Sequence, residues 1–445
     1  MEIQCSACQT MNPTEANYCM QCGRPLAAAG SRPEGSRVVI TGMGVVSPLG
    51  NSLQENWEAL LAGKSGISET TQIPNADKYP CKFSAGVRDF NPKEYMDHKL
   101  ARRITESSQY ALAAARMAFE DASLDETQFE PTRSGVVVGT AAVGSIVETE
   151  QAMRKLISNQ RISPIKFNSV WPNMAAFAVA SRLNFSGYNA TIVTACASGT
   201  QSLATAADAI RLGYVDVAVA GGTESIKSEV ALAGFSGIGA LSVRCDDPSK
   251  VSRPFDKDRD GLIPGEGSAM LILESLGHAR SREARIYAEI LGYAIGSDAR
   301  HETEPTPASQ AHTMRQALSS AGISPEEVDY INPHATSTPV GDAMETEAIK
   351  LVFGDRAYKI PISATKSMVG HMLGAAGALE AIVCVLSIRE NQIHGTMNYE
   401  NPDPECDLDY VPNKPRQLPV RVALSNSFGF GGQNACIVLG EFNSD

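Results

Sequence analysis

From residue 37 onward, short β-branched runs alternate with helix-length stretches that are amphipathic or rich in small residues. In the first half this pattern predicts strands at residues 37–42, 134–140, 191–195, 215–222 and 269–274. In the second half it predicts strands at 287–296, 328–335, 361–366 and within 421–442. Helices are predicted between them, over 100–121, 197–212, 308–321, 343–353 and 370–389. Strands that are nearly continuous in apolar residues and alternate with helices imply buried sheets covered by helices, an α/β class. Residues 194–210 and 365–382 share a local pattern, each running from a strand through small residues into a helix. That recurrence is compatible with two related halves facing each other.

Composition narrows the class. With 445 residues, 43% hydrophobic and 20% charged, the chain has the balance of a globular protein able to bury a large core. Its formal charge of −12 argues against non-specific nucleic-acid binding, which needs a basic surface. No apolar window reaches the roughly 18 residues of a membrane span without a charge; the best, residues 372–388, is interrupted by Glu380. Cys5 and Cys8 arrive where a leader would need a basic and then an apolar region, so a cytoplasmic location is expected.

Of the ten cysteines, Cys5, Cys8, Cys19 and Cys22 form a C-x2-C-x10-C-x2-C array, and the other six are scattered. Two such knuckles can place four thiolates tetrahedrally around Zn2+ at roughly 2.3 Å, with no position left open for catalysis. Residues 1–24 are therefore expected to be a zinc ribbon serving folding and contact. Residues 25–36, rich in Ala, Gly, Ser and Pro, read as a flexible linker.

Three residues in the body carry candidate chemistry. Cys196 ends an apolar strand and opens a helix. Free N–H groups and the dipole at that terminus would favour a thiolate and could donate to a developing oxyanion. Taken alone, a Cys between two alanines also fits a small buried hydrophobe. His334 follows another apolar strand in HATSTPVGD, and His371 lies five residues after Lys366 and nine before Glu380. Buried Lys, His and Glu are costly unless they serve one another or a substrate. A Cys with two such histidines is a possible nucleophile constellation. The run SFGFGGQN lacks the Lys-Ser/Thr of a phosphate loop, and Gly42-Met-Gly44 gives only a weak dinucleotide fingerprint, with Ser47 and Pro48 in the turn.

Taken together, residues 37–443 resemble a β-ketoacyl-[acyl-carrier-protein] synthase of the type II, elongating kind. The resemblance rests on RVVITGMGVVSPLG, TACASGTQSL, VAVAGGTES, SRPFDKDRDGLIPGEG, NPHATSTPVGD, ATKSMVGHMLGAAGALE and NSFGFGGQN, which occur in family order. It implies the thiolase fold, two similar βαβαβαββ halves in a five-layered α-β-α-β-α core, divided here as 37–285 and 286–445, in a homodimer. It implies decarboxylative Claisen condensation of a Cys-bound acyl group with malonyl carrier protein. No catalytic cofactor is implied, because the substrates ride on the phosphopantetheine of an acyl carrier protein.

Residue by residue, Cys196 matches the acyl-accepting nucleophile. His334 and His371 match the pair that promotes malonyl decarboxylation. Lys366 and Glu380 match their support. Phe430 matches the gatekeeping aromatic whose N–H joins that of Cys196 in an oxyanion hole, and Thr336 and Thr338 match contacts to the pantetheine arm. Lys99, Arg102, Arg103 and Arg161 fall where the family presents a basic face to its acidic carrier. The chain departs from the family at Ala142, small where a side chain enters the acyl pocket, and at Trp171, near the expected pocket floor and dimer contact. Phe235 keeps a pocket aromatic, while Gly239 replaces a common arginine. The ribbon is expected to dock a partner. Two other readings stay open: an acyltransferase or malonyl decarboxylase that forms no C–C bond, and a non-catalytic partner subunit.

Overall fold

The computed structural model describes residues 2–4, 10–13 and 37–443; Cys5, Cys8, Cys19 and Cys22 lie outside the described residues. Nine strands form one hydrogen-bonded sheet. They are β1 (Val38–Val46), β2 (Ser134–Gly139), β3 (Asn189–Ile192), β4 (Val217–Glu224), β5 (Gly267–Ser275), β6 (Ala288–Ser297), β7 (Tyr330–Asn332), β8 (Val422–Gly429) and β9 (Gln433–Gly440). The helices that matter here are α1 (Glu106–Asp121), α2 (Val143–Ile157), α3 (Met174–Leu183), α4 (Ser198–Arg211), α5 (Glu229–Gly237), α6 (Pro307–Ala321), α7 (Pro339–Phe353) and α8 (Ala376–Glu390). Among the described residues no helix is long and apolar enough to cross a membrane.

The sheet order is β7-β8-β9-β6-β1-β5-β4-β2-β3. It consists of two half-sheets joined at one seam, where Ala288 pairs with Ile40 and Glu289 with Val39. Side chains alternate across each strand. In the first half Val137, Ala218, Ala220, Leu271 and Leu273 face one central core, which Tyr330, Ala423, Ile437 and Leu439 of the second half also face. Helices α4 and α8 fill that core; in α8 every residue from Ala376 to Ile388 is buried, as a helix apolar all round requires. The opposite faces, Val136 and Val138 in one half and Leu424 and Val438 in the other, are covered by α1 with α3 and by α6 with α7. The five layers are α1/α3, a half-sheet, α4/α8, a half-sheet and α6/α7.

The halves repeat in detail. Strand β1 bulges between Ile40 and Gly42, and β6 between Ile290 and Gly292. A Cβ on Gly42 would meet the Ala118 carbonyl of α1 at 2.1 Å, and one on Gly292 would meet the Ala321 nitrogen of α6 at 2.3 Å. Gly44 is equally pressed against α1, so the Gly-Met-Gly pair serves helix–strand packing. Helices α4 and α8 each follow a 3-10 turn, Ala195–Ala197 and Leu373–Ala375, whose first residue is left-handed with φ of +49° in both cases.

Some elements differ from the pattern-based expectation. The predicted helix at 100–121 is broken by Thr105, which caps α1 through the Ser108 N–H. The predicted strand at 361–366 is reduced to a single bridge between Ile331 and Ile362. The predicted run at 421–442 is a hairpin of β8 and β9 around the Phe430–Gly432 turn.

Candidate active site

Cys196 sits in the turn that opens α4, held where the chain is strained. Ala195 has a left-handed φ, and Ser198 ties the turn by accepting from the Thr194 N–H at 2.9 Å and donating to the Ala195 carbonyl at 2.6 Å. Left-handed non-glycine residues cost of order 1–3 kcal/mol and persist only where the surroundings over-determine them. The Phe430 N–H donates to Cys196 Sγ. That approach requires glycine at 429, where a Cβ would stand 3.0 Å from the Cys196 nitrogen, and the loop then turns through left-handed Gly431 and Gly432.

The second half delivers two imidazoles to the same point. His371 Nε2 lies 2.9 Å from Cys196 Sγ, and the His334 ring stands edge-on to His371 with centroids 5.3 Å apart. Behind them Lys366 and Glu380, both buried, form an ion pair. Burial, reinforced by the Lys366 ammonium, holds both imidazoles well below the usual histidine value, so both are neutral near pH 7. Burial likewise pushes the Cys196 thiol up to about 12, against the pull of Lys366 and the Phe430 N–H. The pull of the helix terminus on this thiol is thus opposed by its complete burial. At rest the site holds a thiol hydrogen-bonded to a neutral imidazole. Sγ and the facing ring nitrogens lie within 4.8 Å of one another, a spacing a metal ion could bridge, but the adjacent ammonium opposes a cation.

A cavity of about 610 Å³ opens on Cys196, His334 and His371. Thr336 and Thr338 line it with their hydroxyl oxygens 3.1 Å apart, and half-buried Phe430 and Phe235 also line it. Two expected pocket residues do not. The wall is built by Ala141, Val143 and Ile146, while Ala142, left-handed at φ +64°, stands outside it. Trp171 is 54% exposed and packs edge-on against Phe167, away from the cavity. Lys99, Arg102, Arg103 and Arg161 are exposed, and the first three share the single turn His98–Ala101 and its end.

Three buried carboxylates escaped the sequence reading. Glu345 of α7 accepts from the His334 and Ala335 N–H groups, each at 2.8 Å, and from Asn426 Nδ2 at 3.1 Å. Asp342 accepts from the Phe255 N–H at 2.8 Å and the Ser337 N–H at 3.1 Å. Glu224, at the end of β4, accepts from the Ala141 N–H at 2.6 Å and the Gly144 N–H at 2.9 Å; burial pushes it up to about 7. Glu224 and Asp342 lie inside the motif runs, yet only the folded chain reveals the N–H groups they hold.

Duplicated halves that meet at one thiol and two neutral imidazoles correspond to the sequence matches. Residues 35–279 match "Beta-ketoacyl synthase, N-terminal domain" and residues 287–400 match "Beta-ketoacyl synthase, C-terminal domain". The chain belongs to the β-ketoacyl synthase family. It is 46% identical over 410 residues to 3-oxoacyl-[acyl-carrier-protein] synthase 2 of Coxiella burnetii, an alignment covering 91% of this chain and 99% of that protein. A β-ketoacyl synthase structure from Burkholderia phymatum matches with a TM-score of 0.85 at 34% identity, covering 92% of this chain and all of the other (100%). A type II polyketide ketosynthase, solved in complex with its acyl-carrier protein, matches with a TM-score of 0.84 at 35% identity over 92% and 99% of the two chains.

Proposed function

We propose that this β-ketoacyl synthase is a 3-oxoacyl-[acyl-carrier-protein] synthase whose condensation runs on Cys196, His334 and His371. The observation that carries the reading is the 2.9 Å contact between Cys196 Sγ and His371 Nε2, with the Phe430 N–H on the same sulfur. In the first half-reaction the thiol gives its proton to His371 as sulfur attacks the carrier-bound acyl thioester. The proton passes to the departing pantetheine thiolate, leaving an acyl-Cys196 thioester. In the second, malonyl carrier loses CO2 and its thioester oxygen becomes an enolate. Neutral imidazoles donating N–H stabilise that charge without a strong base. The enolate carbon attacks the acyl carbonyl, whose oxyanion meets the N–H groups of Cys196 and Phe430. Collapse expels the Cys196 thiolate, which takes a proton from water to restore the thiol. Thr336 and Thr338 line the route of the pantetheine arm.

Incubating the protein with acyl carriers and malonyl carrier, followed by intact-mass measurement, tests the reading. Acylation lost in Cys196→Ala, with a β-keto product two carbons longer on the carrier, is expected. Acylation without an extended product would overturn condensation in favour of acyl transfer alone.

The carrier protein is acidic, and exposed Lys99, Arg102, Arg103 and Arg161 are the side chains proposed to meet it. A second copy of the chain is the proposed partner of edge strand β3, which among the described residues pairs with β2 alone and is followed by Val193 at 52% exposure. Cys5, Cys8, Cys19 and Cys22 are a matched donor set for one structural Zn2+, and the paired strands Glu2–Gln4 and Met11–Pro13 bracket the first two in sequence. One zinc per chain, released when the four thiols are modified, is the expected result of metal analysis.

A further inference from the structure

The three chain segments that carry the reacting groups cross at one buried point. Thr200 lies in the first turn of α4, four residues after Cys196. Ser427 lies on β8, three residues before Phe430, and Gly377 lies in the first turn of α8, six residues after His371. Thr200 and Ser427 are fully buried, and their hydroxyl oxygens stand 2.7 Å apart in a hydrogen bond. Gly377 covers the pair closely: a Cβ there would meet Thr200 Oγ1 at 2.1 Å and Ser427 Oγ at 2.7 Å. The rest of the contact between α4, α8 and the sheet is apolar. Apolar contacts are non-directional and set the slide of a strand along a helix loosely, whereas a hydrogen bond in a dry site fixes distance and angle.

Strand β8 carries that register to the sulfur. Adjacent side chains of a strand point to opposite faces. Asn426 points outward and donates through Nδ2 to Glu345 at 3.1 Å, the carboxylate that holds the His334 and Ala335 N–H groups. Ser427 points inward to α4. Two residues further on, Gly429 lies against the Cys196 backbone, and the Phe430 N–H then reaches the sulfur. We propose that Thr200 and Ser427 are positioning residues that set the Phe430 N–H against Cys196, an inference that rests on the N–H groups of these two residues receiving the oxyanion of the acyl thioester. The outer face of β8 keeps its own anchor in Glu345, so the hydroxyl pair governs the acyl-transfer steps and leaves the loss of CO2 to the histidines.

The test measures two rates on each full-length variant: acylation of Cys196 by an acyl carrier, read by intact mass, and release of CO2 from malonyl carrier. Thr200→Val keeps the shape of the side chain and removes the hydroxyl. Its acylation should slow about tenfold, less than the roughly 10²–10³-fold of an oxyanion donor lost outright, because the donor is displaced and not absent. Its CO2 release should match the wild type. Thr200→Ser, which keeps the hydroxyl, should acylate at the wild-type rate. Thr200→Val combined with Ser427→Ala strands no buried hydroxyl, so its melting temperature should lie above that of Thr200→Val while acylation stays slow. The double variant also carries the comparison where the single one does not fold. Wild-type acylation in the double variant, or acylation and CO2 release falling together, would overturn the assignment. Failure of the wild type to take any acyl group would instead overturn the reading beneath it, and the role of the pair with it.

Discussion

Lys366 and Glu380 form an ion pair with each side chain only 2% exposed, directly behind the two histidines. Such a pair is weak evidence for stability as a unit, but removing one partner strands the other charge in a dry core. Glu380→Ala is expected to lower the unfolding free energy by about 3–5 kcal/mol. Lys366→Met with Glu380→Leu should cost less than the sum of the single changes, because neither charge is then left alone. Chemical denaturation of the four proteins measures the coupling.

The same ammonium acts on the imidazoles. Burial is the larger cause of their low values, and Lys366 adds to it. His371 must be neutral to take the thiol's proton, and both rings are held neutral by these low values, so acylation of Cys196 fails as pH falls through them. Removing the cation raises those values. The acid limb of Cys196 acylation against pH should therefore move to higher pH in Lys366→Met. An unmoved limb would mean that burial alone keeps the rings neutral.

Glu345 touches the backbone of His334 and Ala335 through separate oxygens. Glu345→Ala leaves three buried N–H donors without acceptors, each worth about 1–3 kcal/mol when orphaned. Ala335 is itself left-handed at φ +34°, so this turn needs the carboxylate to hold its shape. The expected outcome is a larger fall in decarboxylation, which uses His334, than in acylation of Cys196, measured separately. Equal losses would indicate general unfolding.

Much of this arrangement is legible in the sequence, for reasons that also explain what is not. The layers follow from runs apolar on both faces, as at Val136 to Val138, where alternate residues meet an outer helix and the central pair. Cys196, His334 and His371 could be picked out because each sits beside a strand end or helix entrance, among residues with few other roles. Helix α2 escaped because Met153, Leu156 and Ile157 face outward at 51–78% exposure, so its apolar positions do not mark a core face. Glu345 and Glu224 escaped because most of what they hold is backbone N–H, which leaves no mark in the sequence. Ala142 misled because a left-handed residue points its Cβ away from the wall its neighbours build.

At the thiol, the pull of the helix terminus and the push of burial act in opposite directions. With the Cys196 thiol pushed up to about 12, alkylation by iodoacetamide should be slow near neutral pH and keep rising into the alkaline range without a plateau. His371→Ala removes the imidazole that touches sulfur and should slow acyl transfer more than it slows alkylation at high pH, where hydroxide supplies the base. A plateau near neutral pH in the wild type would mean that the helix terminus prevails after all.

Away from the site, a cluster at the end of β5 sets a pH window for stability. Glu274 is fully buried and pairs with Arg282, with His278 Nδ1 at 2.5 Å, and with Thr41. Those partners outweigh burial and hold Glu274 near 2. Because its folded value is depressed, its stabilisation is complete above the unfolded carboxylate pKa and drains away as pH falls through 2, an effect on the order of 3 kcal/mol. His278 is raised, chiefly by its hydrogen bond to Glu274, and its Nε2 meets the Gln128 carbonyl at 2.9 Å. Its contribution is complete below the unfolded histidine value and is lost as pH rises through the folded one. Melting temperature should therefore decline as pH rises above the unfolded histidine value, and His278→Gln should flatten that decline while leaving the acid side, which Glu274 and Arg282 govern, steep. Thermal melts across the range decide it: a wild-type alkaline slope that survives in His278→Gln would assign the slope to another group.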